Sequence, residues 1–311
     1  KRIIRKFKDI YMMLFRPGIY NSRKLQYKFI DEKFSLSKLY YFYDDLCAEA
    51  DMIYDAGVCG SDQIWSNNTG SVIPFYYLDF LDESKRISYA PSIGYNKIPD
   101  DLVKDFKKYV EKIRFLSIRE EKGAEIIKEI TGRNAEVVLD PSLLLNKTEW
   151  LEEIKDKKPI SPKEKYILLY ILGDNKEQVE YAKRFSKITG LKLIAIETKY
   201  GKVKDLELYS GDPFDFVELV KNASYILTDS FHGLSFSINL ERQFVVFKRF
   251  SDDDKISQNS RIYNILRKLQ LENRLISPDQ SVSFLIDNII DYSLVRPLLE
   301  SERERSLEFL S

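Results

Sequence analysis

The chain is poor in the residues that build metal and disulfide sites. Among 311 residues it has one histidine, His232, and two cysteines, Cys47 and Cys59. These fall short of the four ligands of a usual zinc site, and the cysteine spacing matches no disulfide framework. We therefore predict no metal and no cofactor, and a reducing compartment, the cytoplasm.

Net charge and long apolar runs are missing as well. The 49 basic and 49 acidic residues cancel, which argues against nonspecific nucleic-acid binding. The longest apolar run, 166–172, is far shorter than the ~20 residues of a membrane-spanning helix, and no signal peptide is recognisable. No dinucleotide glycine fingerprint or Walker loop occurs. A soluble protein with a local anion site is predicted.

The length predicts two domains. Apolar β-prone runs alternate with helical patterns, which is typical of βαβ units around parallel sheets. The charged stretch 155–165 contains two prolines and has the composition of an exposed linker. We predict an α/β protein with two Rossmann-like domains, 1–158 and 159–311, and a terminal helix over 291–310 that packs back across the linker. The predicted strands are 52–59, 86–90, 115–118, 135–139, 166–172, 191–197, 225–227 and 243–247.

A strand, a polar turn and a helix start come together around His232. Residues 225–227 are apolar and β-prone, 228–230 are turn and helix-capping types, and Gly233 opens a stretch with helical spacing. Ligands of open α/β sheets bind at such carboxyl strand ends. A helix N-terminus there suits a phosphate or carboxylate, and a histidine can move a proton to it. The alternative is a core histidine satisfied by the turn.

The first residues, 1–16, have the pattern of a basic amphipathic helix. Two roles fit this pattern. The helix packs on its own domain, as most amphipathic helices do, or it lies at the surface and touches anionic lipid, which predicts peripheral contact with the inner membrane. Because the chain starts at Lys1 rather than at methionine, the natural chain is expected to begin earlier.

Six short motifs, in this order, resemble those of the polysaccharide pyruvyl transferase family, and they span most of the chain. They are GSDQIW at 60–65, RISYAPSIG at 86–94, SIREE at 117–121, VLDPS at 138–142, TDSFHG at 228–233 and NSRI at 259–262. The resemblance implies two domains similar to the type B glycosyltransferases, with the active site in the cleft between them. It also implies transfer of pyruvate from phosphoenolpyruvate onto two hydroxyls of a sugar, which forms a cyclic ketal and releases phosphate.

The resemblance also implies roles for single residues. His232 is expected to be the catalytic acid, or at least to contact the phosphate, and Asp229 or Ser230 is expected to orient it. The expected donor-binding residues are Arg119, at the end of the predicted strand 115–118, and Arg261, Ser230 and Gly233 in the C-terminal domain. The expected acceptor-binding residues, in the N-terminal domain, are Ser61 and Asp62. A surface arginine paired with Glu120 or Glu121 is the alternative for Arg119. An arginine that merely lies in the first turn of a helix capped by Ser260 is the alternative for Arg261. A plain turn is the alternative for Ser61 and Asp62, and Asp140 before Pro141 is assigned to a turn.

Two departures from the family keep other functions open. Ser230 stands where several members carry an arginine, and we expect no counterpart of the family's first strand in the sequence given. The expected partners are phosphoenolpyruvate and a sugar or lipid-linked oligosaccharide of a surface polysaccharide, such as an exopolysaccharide. A glycosyltransferase that uses a nucleotide sugar, or a noncatalytic glycan-binding module, remains an alternative.

Overall fold

A computed structural model describes residues 13, 17–66, 70–198, 203, 206–252, 254 and 257–311. The α-helices are α1 Pro17–Lys33, α2 Tyr43–Ile53, α3 Val103–Val110, α4 Glu121–Thr131, α5 Lys147–Glu153, α6 Lys176–Thr189, α7 Pro213–Asn222, α8 Phe231–Asn239, α9 Ser260–Lys268, α10 Ser283–Asp287 and α11 Tyr292–Glu308. The strands are β1 Gly57–Cys59, β2 Arg86–Ser88, β3 Phe115–Ile118, β4 Glu136–Val137, β5 Tyr166–Tyr170, β6 Lys192–Ile196, β7 Glu207–Tyr209, β8 Tyr225–Thr228, β9 Gln243–Phe247 and β10 Leu275–Ile276. Short 3₁₀ helices are Pro74–Tyr77, Glu83–Lys85, Pro141–Leu143 and Glu272–Arg274.

The chain divides into two compact units. The six-stranded unit comprises the described residues within 1–37, 145–249 and 273–292, and the four-stranded unit those within 38–144, 250–272 and 293–311. This division differs from the predicted boundary at 158, because residues 250–272 and 293–311 are held by contacts far along the sequence. Within the four-stranded unit, the Ser306 hydroxyl binds the Leu139 N–H at 2.9 Å, and Arg303 Nε donates to the Leu143 carbonyl at 2.8 Å.

The six-stranded unit is built on a parallel sheet in the order β10-β9-β8-β5-β6-β7. Its central strand β5 is buried along most of its length, as expected when both faces of a parallel sheet are covered. Helix α6 begins where the Asn175 side chain accepts from the Glu177 and Gln178 N–H groups, and it ends at Gly190, whose φ of 69° is left-handed. Its buried Tyr181 and Phe185 pack into the core beside the sheet.

The four-stranded unit holds a parallel sheet in the order β1-β2-β3-β4. Trp65 is 1% exposed and stacks on Tyr77, with ring centroids 5.0 Å apart. Phe106 of α3 meets both rings edge-on. The α/β class and the parallel sheets in two Rossmann-like units are therefore confirmed.

One predicted strand needs correction, and two strands were missed. The predicted strand 52–59 is only Gly57–Cys59, because Met52 and Ile53 end helix α2, whose buried residues Leu46 and Ala50 follow helical spacing. The short edge strands β7 and β10 carried no clear period-2 pattern and were not predicted. The helix predicted over 1–16 lies, apart from Met13, outside the described residues. No helix in the described part of the chain is long and apolar enough to cross a membrane.

The two cysteines are expected to differ strongly in reactivity. Cys47 is exposed, whereas Cys59 ends β1 and is buried. Burial raises the pKa of the Cys59 thiol to about 12. Because the thiolate is the reactive form, we expect a thiol-specific disulfide reagent to modify Cys47 at least about a hundredfold faster than Cys59 in the folded protein, since each unit of pKa lowers the thiolate fraction tenfold. In Cys47→Ser the fast phase should vanish; two equally fast phases in the wild type would contradict the buried thiol.

Candidate active site

The turn between β8 and α8 is held by a dense set of hydrogen bonds. The Thr228 hydroxyl donates to the Tyr170 carbonyl at 2.6 Å and accepts the Ser230 N–H at 3.0 Å. Ser230 is the N-cap of α8, and its Oγ accepts the Gly233 N–H at 3.3 Å. The helix thus begins at Phe231, two residues earlier than predicted, and His232 lies in its first turn rather than in a loop.

Asp229 ties together the ends of two neighbouring strands. Its side chain is fully buried (0% exposed). Oδ1 accepts the Leu172 N–H at 2.7 Å and Oδ2 accepts the Gly173 N–H at 2.8 Å, both just beyond β5. Arg249, after β9, donates to the Asp229 carbonyl at 3.0 Å. The carboxylate therefore fixes the shape of the sheet's carboxyl edge beside His232.

We expect Asp229→Asn to lower the free energy of unfolding by about 2–4 kcal/mol, because the amide can accept only one of the two backbone N–H groups and leaves the other buried donor unsatisfied. Urea unfolding measures this change. The matched control is Asp174→Asn, one residue beyond Gly173, whose side chain is exposed and which should shift the free energy by no more than about 0.5 kcal/mol. Equal shifts in both variants would contradict the role assigned to Asp229.

Small size is required at Gly233. A Cβ built there would lie 2.4 Å from Thr228 Oγ1 and 3.0 Å from the Tyr170 ring. Its neighbour His232 is partly exposed, and its ring packs edge-on against Phe231 at 5.7 Å. Gly233 thus lets the helix start sit close to β5 while His232 stays accessible.

In the four-stranded unit, two arginines converge on Asp62. Arg119 Nη2 lies 3.2 Å and Arg261 Nη1 3.5 Å from Asp62 Oδ1, yet the Asp62 side chain is 59% exposed. Asp62 has a φ of 57°, which bends the chain directly after β1. The two guanidinium groups orient the carboxylate while it stays open to a ligand.

A second carboxylate, Asp140, pairs with the same Arg119. Its Oδ1 accepts the Ser142 N–H at 3.0 Å, which confirms the predicted turn role. Its Oδ2 accepts from Arg119 Nη1 at 2.5 Å and lies 3.0 Å from the Ser61 hydroxyl. The side chains of Arg119 and Asp140 are 2% and 3% exposed. Arg119 pairs with Asp62 and Asp140 instead of Glu120 or Glu121, and its burial suits it to position both carboxylates rather than to meet a ligand directly.

Sequence reasoning missed the part played by Glu120. Its Oε1 accepts from the Ser92 hydroxyl at 3.0 Å and from the N–H groups of Ile93 and Gly94 at 3.0 and 3.1 Å. Among the described residues, the buried Oε2 has no hydrogen-bond partner. Glu120 therefore fixes the loop after β2, and the only sequence signal was an acid directly after a strand end.

The sequence-predicted residues fall into two groups. Ser61, Asp62, Arg119 and Arg261 lie together in the four-stranded unit, where Asp62 also lines a cavity of about 300 Å³ with Gln63 and Tyr76. Ser230, His232 and Gly233 lie in the six-stranded unit. Arg261, predicted in the C-terminal domain, thus groups with the unit that contains Asp62. Within the described ranges, no cluster of three or more histidine, cysteine or acidic residues could hold a metal ion.

The model of the family described as polysaccharide pyruvyl transferase matches residues 4–250. A search of curated protein sequences gives no match.

The solved structures that this chain resembles include two UDP-GlcNAc 2-epimerases and a protein named MnaA. The UDP-GlcNAc 2-epimerase of Neisseria meningitidis, bound to UDP-GlcNAc, is 9% identical over 92% of this chain and 89% of its own, with a TM-score of 0.49. The Methanocaldococcus jannaschii UDP-GlcNAc 2-epimerase is 15% identical over 86% and 80%, with a TM-score of 0.46. MnaA of S. aureus, with UDP, is 14% identical over 89% and 81%, with a TM-score of 0.48. These similarities assign no substrate to this chain.

Proposed function

Because the chain belongs to the polysaccharide pyruvyl transferase family, we propose that it moves pyruvate from phosphoenolpyruvate onto two hydroxyls of a sugar. The sugar belongs to a surface polysaccharide or to a lipid-linked precursor. The product is a cyclic ketal, and phosphate is released. The reaction needs no cofactor in this proposal. A cytoplasmic enzyme, with peripheral contact at the inner membrane where a lipid-linked acceptor is used, fits this chemistry.

The observation that carries the proposal is the position of His232. It is the one histidine of the chain, and it lies partly exposed in the first turn of α8, at the carboxyl edge of the six-stranded sheet. Ketal formation requires a proton on the methylene carbon of the enol, so that C2 becomes open to attack by a hydroxyl. Histidine is the side chain best matched to proton transfer near neutral pH. We assign this proton donation to His232.

The donor's phosphate and carboxylate need positive potential beside that acid. The N-terminus of α8 supplies backbone N–H groups and the positive end of the helix dipole, and the Ser230 cap and Gly233 shape this turn. Arg249 adds a guanidinium that Asp229 holds in place and that is 21% exposed. Several family members carry an arginine at the position of Ser230. We propose that Arg249 supplies part of that positive charge in this chain.

The four-stranded unit contributes the acceptor side in this proposal. The exposed Asp62 carboxylate accepts a sugar hydroxyl, and the Ser61 hydroxyl keeps the turn that presents it. Arg261, bound to Asp62 at 3.5 Å, is the donor-binding candidate in this unit. Arg119 acts as a positioning residue, because its two terminal nitrogens are bound to carboxylates.

Ligand-induced stabilisation tests the proposed donor. Thermal unfolding is followed with phosphoenolpyruvate, with its saturated analogue 2-phospholactate, and with a panel of nucleotide sugars. At 100 times its dissociation constant a ligand adds about 2.7 kcal/mol to the free energy of unfolding. Phosphoenolpyruvate should stabilise the wild type and Arg249→Met should weaken the effect. Stabilisation by a nucleotide sugar alone would replace this proposal with a glycosyltransferase, and no response to either donor class would favour a noncatalytic glycan-binding module.

A further inference from the structure

The six-stranded unit contains a cavity of about 760 Å³ whose wall includes His232. Helix α1, the ends of β5, β6 and β7, and the first turns of α7 and α8 surround it. Its volume lies within the range of small-molecule sites. None of the residues predicted to bind the acceptor lies in this unit, so the cavity has no assigned ligand.

Aromatic rings form much of the cavity wall. They include Phe29, Trp150, Tyr170, Phe214, Phe216 and Phe236. Three of the contacts between them run in sequence: Tyr170 to Phe216 with centroids 5.2 Å apart, Phe216 to Phe236 at 5.4 Å, and Phe236 to Trp150 at 4.9 Å. Each ring is held by its neighbour, so the wall is a preformed surface. The negative ring faces suit the C–H groups on the flat side of a sugar ring.

The polar groups of the wall favour a neutral ligand. Three acids line the cavity, Glu197, Asp212 and Asp215, but Arg23 is the one arginine or lysine among the described lining residues. Asp212 and Asp215 share a single cation, Lys157, so one of their two negative charges is not offset by it. No ion pair among the described residues offsets the charge of Glu197. A negative wall repels phosphate and carboxylate groups. Carboxylate and hydroxyl oxygens instead accept hydrogen bonds from the hydroxyls of a sugar.

Helix α1 closes one side of the cavity with residues at helical spacing, Ile19, Ser22, Gln26 and Phe29. The Ser22 hydroxyl donates to the Gly211 carbonyl at 2.6 Å, and Phe29 packs edge-on against Phe214 at 4.9 Å. No described residue of α1 is fully buried. The helix therefore rests on the cavity without being part of the core.

We infer that this cavity binds one pyranose ring of the acceptor glycan, stacked on the aromatic wall, with its hydroxyls bound by Glu197 and its edge toward His232. The inference rests on the proposed function for calling the glycan an acceptor. It places a sugar subsite in the six-stranded unit, which contains none of the acceptor residues proposed above.

Tryptophan fluorescence gives a direct test, because Trp150 lines the cavity while Trp65 is buried in the other unit. The full chain, without donor, is titrated with the methyl glycosides of glucose, galactose and N-acetylglucosamine. At least one should cause a saturable change in the wild type and in Trp65→Phe. In Trp65→Phe, the further changes Phe216→Leu and Glu197→Gln should each raise the dissociation constant about three- to tenfold, as expected from the loss of one ring contact or one hydrogen bond. The matched control Phe75→Leu, an exposed ring in the four-stranded unit, should leave it unchanged.

The inference is overturned if no glycoside changes the Trp150 signal, or if uridine monophosphate binds more tightly than every glycoside, which would assign the cavity to a nucleotide. Thermal unfolding of each variant shows whether it is folded. Failure of the proposed function looks different. In that case phosphoenolpyruvate does not stabilise the protein, while the glycosides still change the Trp150 fluorescence. If phosphoenolpyruvate stabilises the protein and no glycoside changes the Trp150 fluorescence, the donor proposal stands and the sugar subsite does not.

Discussion

Replacing Arg119 by methionine should lower the free energy of unfolding by about 3–5 kcal/mol, because it leaves the buried Asp140 carboxylate without its counter-charge. The guanidinium and the carboxylate are 2% and 3% exposed and 2.5 Å apart. Methionine fills a similar volume, so the loss comes from the charge and the hydrogen bonds rather than from a cavity. Urea unfolding followed by circular dichroism measures the change.

A second substitution shows whether the loss of stability comes from the unpaired charge or from altered packing. Adding Asp140→Asn to Arg119→Met removes the uncompensated charge, so the double variant should be more stable than Arg119→Met alone. The matched control is Arg114→Met, five residues earlier, where the side chain is exposed and a change within about 0.5 kcal/mol is expected. A loss in Arg119→Met no larger than in this control would contradict the buried ion pair.

Replacing His232 by asparagine should lower the rate of pyruvyl transfer by about 10²- to 10⁴-fold, the usual contribution of one positioned acid. Asparagine keeps a polar side chain in the first turn of α8 but cannot donate a proton to carbon. Because His232 is partly exposed, the free energy of unfolding should change by no more than about 1 kcal/mol. Phosphate release with phosphoenolpyruvate and a glycan acceptor measures the rate.

Measuring kcat and the dissociation constant for phosphoenolpyruvate separately shows the role of His232. A fall in kcat at an unchanged dissociation constant for phosphoenolpyruvate identifies the proton donor. A weaker binding constant with a small fall in kcat identifies a phosphate contact instead. The matched control is Ser230→Ala, which removes the N-cap and should cost about 1 kcal/mol of stability. If Ser230→Ala lowers the rate as much as His232→Asn, distortion of the turn rather than loss of an acid explains the effect.

Much of the local structure follows from the sequence. Strand β9 has the predicted limits, because 243–247 is a short apolar run. Helix α6 likewise begins and ends at residue types that favour helix boundaries, Asn175 and Gly190. The ordered motifs identified the family, which the match over 4–250 confirms. His232 could be identified from the sequence alone, because it is the one histidine and it follows a predicted strand.

Other parts of the site could not be predicted from local pattern. Trp150, Phe214 and Phe216 read as core residues in the sequence, since aromatic residues mostly pack inside. Only the tertiary structure shows that these three residues line one cavity together with His232. Helix α1 joins that cavity although it precedes it by more than a hundred residues along the chain, with Ser22 bound to Gly211 at a sequence separation of 189.

The sequence by itself determined the α/β class, the alternation of helices and strands, the family and the histidine, because periodicity, capping residues and motifs act over a few neighbouring residues. The tertiary structure alone decided which charged side chains form ion pairs. Arg119 and Asp140 are 21 residues apart, Arg119 and Asp62 are 57, and Arg261 and Asp62 are 199. Such partners depend on the order of strands in the sheet and on where the chain returns to it, and those are set by packing over the whole unit.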